Sequence, residues 1–366
     1  MKIEDLVCRG VRALASHKKT EITETYDKMS LFEKAVRMDL NENFLIEEEL
    51  VKWVLRYVGE HLDPRRYPPA KGIKAIKALS SLTGLDEANL AVGNGADELI
   101  ERLVNVFVGD DRALVIEPTF EMYEFYITRR GGVKVSCLVN DDLCISADEI
   151  LRAVNGVKAV FICSPNNPTG IQYDFEEVLR VVENFKGLVV VDEAYVDFAG
   201  RSLCERAPDY DNLVILRTLS KAYGLAGLRV GYMVASDDII KWVKVAEPPF
   251  NVNAAAQYAV EAIALRADDF KRCIAKVKEE REYLYSQLTK LDGVKPFKSS
   301  ANFIMLKVVK EGWNSSKLVN ALLNKGVAVR DRGNLPKIEN CIRVTVGTRD
   351  MNNLFLNALK EVLHGS

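Results

Sequence analysis

K-A-V-F-I-C at 158–163, S-P-N-N-P-T-G at 164–170, D-F-E-E-V-L-R-V-V-E-N-F at 174–185 and L-V-V-V-D at 188–192 form the stretch whose reading decides the fold. Its two outer runs are apolar at nearly every position instead of alternating, the pattern of strands covered on both faces. Between them lies a helical pattern, so the stretch reads as strand, loop, helix and parallel strand. Outward from it, A-L-V-I at 113–116 and N-L-V-I-L at 212–216 repeat the strand texture, and D-E-L-I-E-R-L-V-N-V-F at 97–107 repeats the helical one. This alternation predicts an α/β fold, with a large domain over 40–250 built on a mostly parallel central sheet between helices. After about residue 251 comes the charged helical run 266–288, R-A-D-D-F-K-R-C-I-A-K-V-K-E-E-R-E-Y-L-Y-S-Q-L, then strands near Phe303 and Arg343 and a final helix. That texture predicts a smaller α+β domain over 251–366. Residues 1–39 read as an N-terminal segment packing on the small domain or the substrate site. No repeat, low-complexity tract or Pro/Ser-rich linker separates the parts, so the two domains should share an extensive interface.

The chain has 366 residues, 48% of them apolar and 28% charged, which suits a folded globular protein with room for two cores. Lys+Arg 50 against Asp+Glu 52 gives a formal charge of -2, so no basic excess points to nucleic acid or anionic lipid, and the expected partners are small molecules. Seven cysteines, at 8, 137, 144, 163, 204, 273 and 341, stand singly with no C-x-x-C pair. They read as reduced, mostly buried thiols. The start M-K-I-E-D-L has no signal-type apolar core, and no apolar run approaches the length of a membrane span. A cytoplasmic location is the expectation. His17, His61 and His364 fit neither a triad nor a metal cluster and are expected at the surface.

Chemistry gathers at the ends of the apolar runs, where open α/β sheets bind ligands. Lys221, in S-K-A-Y-G-L-A-G-L-R-V-G, can hold an aldehyde cofactor covalently. Asp192, in V-V-V-D-E-A-Y, can sit under a cofactor ring nitrogen and keep it protonated, and Arg229 offers a permanent cation to a phosphate. Asn167 and Tyr195 can donate to a ring hydroxyl oxygen. Together these residues describe a pyridoxal 5'-phosphate site. G-N-G-A-D-E at 93–98 ends a short strand and opens a helix, so Gly95 and the amides of Ala96 and Asp97 can face a phosphate together with Thr218, Ser220 and Arg229. Phe120, in P-T-F-E-M-Y, would stack on the cofactor ring. Each element alone has a plainer reading: Asn-Asn-Pro-Thr-Gly as a turn, Asp192 as a cap, Asp97 and Glu98 as helix-start acids, Phe120 as a core aromatic. The combination favours the site.

The order Asn, Asp, Tyr, Lys, Arg resembles the fold-type I pyridoxal phosphate aminotransferases, and the likeness runs from about Asp39 to the C-terminus. It is greatest to the histidinol-phosphate aminotransferase family, on L-N-E-N at 40–43, Y-P at 67–68, G-N-G-A-D-E-L-I at 93–100, P-T-F-E-M-Y at 118–123, the S-P-N-N-P-T-G to L-R-V-G set, V-A-V-R-D-R at 327–332 and C-I-R-V-T-V-G-T at 341–348. Phe44 stands where that family has the proline of N-E-N-P, and residues 1–38 do not follow its usual opening. The resemblance implies a catalytic set of Lys221, Asp192 and Tyr195. It implies substrate contacts from Asn43, Asn167, Arg330, which helps hold a substrate phosphate, and Arg343, which binds a carboxylate. It also implies that Tyr67 reaches the cofactor of a neighbouring subunit, making the active unit a homodimer. The reaction implied is transfer of the amino group of L-histidinol phosphate to 2-oxoglutarate, giving imidazole acetol phosphate and glutamate.

Three other readings compete. An aromatic-amino-acid aminotransferase or a threonine-phosphate decarboxylase shares most of these motifs. A non-catalytic regulator on the same fold would need a DNA-binding extension, and the chain shows neither a helix-turn-helix extension nor a basic arm. A nucleotide-binding protein using Gly93 and Gly95 is disfavoured because position 98, where a third glycine would fall, is Glu.

Overall fold

The computed structural model describes residues 3–16 and 35–365. In chain order its strands are β1 Val36–Arg37, β2 Leu90–Gly93, β3 Arg112–Glu117, β4 Val133–Leu138, β5 Val157–Cys163, β6 Leu188–Asp192, β7 Leu213–Thr218, β8 Gly231–Ala235, β9 Val294–Pro296, β10 Phe303–Val308, β11 Val327–Ala328, β12 Arg330–Asp331 and β13 Cys341–Thr345. Seven of them make one sheet in the order β2-β8-β7-β6-β5-β3-β4. β8 runs antiparallel to both β2 and β7, and the remaining pairs are parallel. The expected mostly parallel α/β sheet is therefore present, and the antiparallel β8 carries the chain out of Arg229.

β6 shows why the central strands are apolar throughout. Val189 and Val191 face one core, with the helices Glu48–His61, Ile73–Thr83, Phe175–Asn184 and Ala254–Ala264. Leu188 and Val190 face the other, with Ala96–Leu103, Met122–Arg130 and Asp237–Val245. Each fully buried valine or leucine contributes roughly 1.5–3 kcal/mol, so a polar residue on either face would cost about as much. Both β3 and β5 extend slightly beyond the runs at 113–116 and 158–163, to Arg112–Glu117 and Val157–Cys163. The helical run at 97–107 divides into Ala96–Leu103 and a wider turn over Val104–Val108.

A second, four-stranded antiparallel sheet, β12-β13-β10-β9, packs against the helices Ala267–Leu288, Ser315–Asn324 and Arg349–His364. β1 lies parallel to β11, and the chain then runs on beside this sheet. The Met38 amide donates to Ala328 O at 2.9 Å, and the Thr345 amide donates to Met38 O at 2.8 Å. The segment from Val36 to Asn41 is thus laid from the small sheet towards the large one. At the other end of the N-terminal region, Arg9–Ser16 packs on Met122–Arg130. Residues 17–34, His17 among them, lie outside the described residues. His61 and His364 are exposed.

All seven cysteines are free: Cys163, Cys204, Cys273 and Cys341 are buried, Cys137 is half-buried, and Cys8 and Cys144 are exposed. Among the described residues no helix is long and apolar enough to cross a membrane.

Candidate active site

Strand order assembles the site. β3, β5, β6 and β7 are neighbours, so their carboxyl ends bring Phe120, the Asn167 loop, Asp192 with Tyr195, and Thr218 with Ser220 and Lys221 into one row. β2 ends at Gly93 on the same edge, and β8 starts there after Arg229. The resulting cleft is closed on the far side by Leu40, Asn41, Arg332 and Arg343 from the small-sheet region.

The helix Ala96–Leu103 starts at Gly95, whose φ of +87° is a conformation that side chains rarely adopt. A Cβ there would stand 2.6 Å from Arg229 Nη2. Arg229 itself is left-handed, with φ 56° and ψ 71°, and its Nη2 donates to Asp97 Oδ2 at 2.9 Å. Gly231, in β8, lies so close to the helix start that its Cβ would meet Ala96 N at 2.4 Å. Helix amides, a guanidinium and the hydroxyls of Thr218 and Ser220 therefore share one small concavity, which suits a phosphate.

Lys221 Nζ donates to Leu40 O at 2.8 Å. Burial lowers its pKa from 10.5 to about 8, and the Arg343 cation adds to the effect. Asp192 is buried; its Oδ2 accepts from the Tyr123 hydroxyl at 2.6 Å and its Oδ1 from the Ala194 amide at 2.9 Å. Burial raises its pKa, opposed by those two donors. Tyr195 is likewise shifted upward by burial; its hydroxyl accepts from Asn41 Nδ2 at 3.0 Å, and its ring meets Phe303 edge-on at 5.1 Å. Arg343 stands over the same Phe303 ring and donates from Nη1 to Asn167 Oδ1 at 2.6 Å. Its second amine, Nη2, donates to Asp39 O. Burial, then the neighbouring Arg332, lowers its pKa to about 10. Glu121 accepts from Arg332. Burial pushes Glu121 upward, but Arg332, then its own backbone amide, then Arg330 and Arg343 outweigh this and hold it below the usual carboxylate range.

The model of the family described as "Aminotransferase class I and II" matches residues 37–359. The chain belongs to this family. A histidinol-phosphate aminotransferase of Ruminiclostridium cellulolyticum is 35% identical over 336 residues, covering 90% of this chain and 93% of the relative. Among solved structures, a Sinorhizobium meliloti histidinol-phosphate aminotransferase in complex with pyridoxal-5'-phosphate superimposes with a TM-score of 0.82 at 24% identity, covering 95% of this chain and 98% of the other. An L-threonine-O-3-phosphate decarboxylase from Porphyromonas gingivalis gives a TM-score of 0.79 at 25% identity, covering 90% and 99%. Backbone likeness alone does not separate the two reactions.

Within this aminotransferase fold the cleft gathers Lys221, Asp192, Tyr195, Asn167, Phe120, Ala96, Asp97, Thr218, Ser220, Arg229 and Arg343, with Gly95 at its edge. Besides Gly95, three of the residues named from sequence stand outside the lining. Asn43 Nδ2 donates to Ala222 O at 2.9 Å, so this side chain fixes the backbone next to Lys221. Arg330 is buried opposite Arg343 in the β12–β13 register, with Nη2 3.8 Å from Glu121 Oε1. Tyr67 is 81% exposed, stacked on Phe250 at 4.7 Å, in a separate groove that includes Asn94. Conversely, Glu121, Arg332, Asn41 and Tyr123 were not singled out in the sequence. Arg332 had a signal, the second arginine of V-A-V-R-D-R; Tyr123 is indistinguishable in sequence from a core aromatic.

Proposed function

We propose that this protein catalyses pyridoxal phosphate-dependent transamination of L-histidinol phosphate with 2-oxoglutarate. The residues fit the cofactor. Gly95, Ala96, Asp97, Thr218, Ser220 and Arg229 would hold its phosphate, Asp192 its ring nitrogen, Asn167 and Tyr195 its ring oxygen, Phe120 one ring face, and Lys221 its aldehyde carbon. When bound, pyridoxal 5'-phosphate supplies an electron-accepting ring conjugated to the carbon that carries the transferred amine. Lys221 Nζ, half unprotonated near pH 8, takes and returns the proton of the substrate α-carbon. Asp192 holds positive charge at the far end of the ring from a water-poor position, where the interaction is strong.

One observation carries the substrate class: the buried guanidinium groups of Arg332 and Arg343 line one wall of the cleft that contains Lys221, with Arg330 behind them near Glu121. Arg332 Nε and Arg343 Nε are buried donors with no acceptor among the described residues, as a site for an anionic substrate requires. The sequence relative favours histidinol phosphate over threonine phosphate.

The active unit is a homodimer in this reading, with Tyr67 of one copy approaching the phosphate concavity of the other. Support comes from the exposed Tyr67–Phe250 stack, whose groove contains Asn94, next to Gly95. The location is cytoplasmic. A large unit, 40–250 together with the helix Ala254–Ala264 that packs on its core, holds the cofactor, and the rest of 251–366 supplies the arginine wall.

The test is a set of half-reactions on the holoenzyme, followed by the cofactor's visible absorbance. Histidinol phosphate should give the highest kcat/KM, and added 2-oxoglutarate should restore the spectrum with stoichiometric glutamate. Faster reaction with an aromatic amino acid, or carbon dioxide release from threonine phosphate, would overturn the assignment.

A further inference from the structure

Glu121 follows Phe120 at the N-terminal boundary of the helix Met122–Arg130 but makes no side-chain cap there; its carboxylate faces residues more than two hundred positions away. Both of its oxygens lie 3.3 Å from Arg332 Nη1, and Oε1 is 3.8 Å from Arg330 Nη2. Only 10% of the Arg332 side chain and 27% of that of Glu121 are exposed, so this is a partly desolvated pair and not a solvated surface one. Glu121 and Arg332 both line the cleft, beside Arg343. Two lining guanidinium groups, Arg332 and Arg343, stand against the one carboxylate of Glu121, but the Nη1 donor of Arg332 is already engaged by that monoanion.

We propose that Glu121 determines substrate specificity as an internal counter-ion that occupies the anion-binding face of Arg332. This rests on the reading of the cleft as the substrate site. A substrate carboxylate has the same charge and the same two-oxygen geometry as Glu121, so replacing it at Arg332 gains little. A phosphate ester carries up to two charges and three acceptor oxygens, and it can outcompete the internal carboxylate or share the guanidinium with it. Glu121 therefore weakens the binding of dicarboxylates, the glutamate and 2-oxoglutarate partners included, more than that of phosphate esters, so that both substrates use the cleft but the phosphate ester binds more tightly.

The test uses two probes without a transferable amine, inorganic phosphate and succinate, with dissociation constants measured on the holoenzyme by titration. Glu121→Gln keeps the side-chain shape and removes the charge; Glu121→Asp keeps the charge and shortens its reach. Each variant is compared only once its visible cofactor band matches the wild type. The wild type should bind phosphate more tightly than succinate. In Glu121→Gln both should tighten, succinate by about tenfold more than phosphate, since a carboxylate no longer has to displace an equal charge from Arg332 Nη1 whereas a phosphate could already share that guanidinium. Glu121→Asp should fall between, and adding Arg332→Gln to Glu121→Gln should abolish the extra succinate gain. An unchanged or wider preference for phosphate in Glu121→Gln, a succinate gain that survives loss of Arg332, or no measurable phosphate binding to the wild type would each overturn the proposal. None of these constants involves turnover. Failure of histidinol phosphate as a substrate would remove the proposed reaction while the phosphate-to-succinate comparison still judges Glu121.

Discussion

Lys221 combines a hydrogen bond to the Leu40 carbonyl with a pKa lowered to about 8, and the two have one origin in a side chain enclosed between the large sheet and the segment leading from β1. An ordinary lysine would be under about 1 per cent unprotonated at pH 8, whereas this one is about half so. Burial lowers the pKa because it disfavours the charged form, so the nucleophilic form accumulates as pH rises through about 8. The rate at which the apoprotein attaches cofactor should climb with pH and level off above about 8; a rate still rising at pH 10 would mean the amine is not depressed. Asp192→Asn should lower kcat by two or more orders of magnitude with little change in thermal stability, as for other deletions of a preorganised charge. Near-normal kcat in that variant would make Asp192 structural. Arg343→Ala should cost roughly 2–5 kcal/mol of kcat/KM in the glutamate half-reaction, because its carboxylate partner would be left desolvated. At this scale the sequence singled out Lys221, Asp192 and Arg229 by residue type alone, and the structure brings the three into one cleft. It was silent on Glu121, because an acid at a helix start reads as a dipole partner and its arginines arrive from another sheet.

Element order explains why so many separate motifs meet. Parallel strands β3, β5, β6 and β7 place their carboxyl ends side by side, and β8 returns antiparallel so that Arg229 and Gly231 enter from the same edge. Gly231 is the tightest joint in this arrangement: a methyl group on it would overlap Ala96 N, whose helix start forms the phosphate concavity. Gly231→Ala should therefore separate β8 from that helix, destabilise the chain by about 1–3 kcal/mol and weaken cofactor binding at least tenfold. Denaturant midpoints and cofactor titration measure the two effects, and loss of stability without loss of cofactor affinity would disconnect the joint from the site. β3, β5, β6 and β7 were legible because burial on both faces removes the polar alternation, whereas β8, equally buried, went unread between the glycine-rich motif and the helix after it. β4 was not: as an edge strand it is only partly covered, and G-G-V-K-V-S-C-L carries charge and polarity within it. The two-residue β1, β11 and β12 are shorter than any pattern that sequence periodicity can reveal, yet they bring Leu40 and the arginine wall to Lys221.

On the scale of the whole molecule, the site joins two sheets and, in the proposed homodimer, two copies of the chain. Tyr67 is exposed and lies outside the cleft of its own copy, so Tyr67→Ala should leave monomer folding intact but raise the cofactor dissociation constant several-fold. Co-expression with a Lys221→Ala chain should recover activity, because one of the two sites in the mixed dimer then has both Lys221 and Tyr67. Unchanged cofactor affinity in Tyr67→Ala would place the residue outside any shared site. The most direct test of the account as a whole is a peptide map of the entire chain after borohydride reduction of the holoenzyme. A single modified peptide is expected, carrying the reduced cofactor on Lys221, with none in Lys221→Ala. The label on any other lysine, or sustained multiple turnover by Lys221→Ala, would contradict the assignment of this cleft as the catalytic centre.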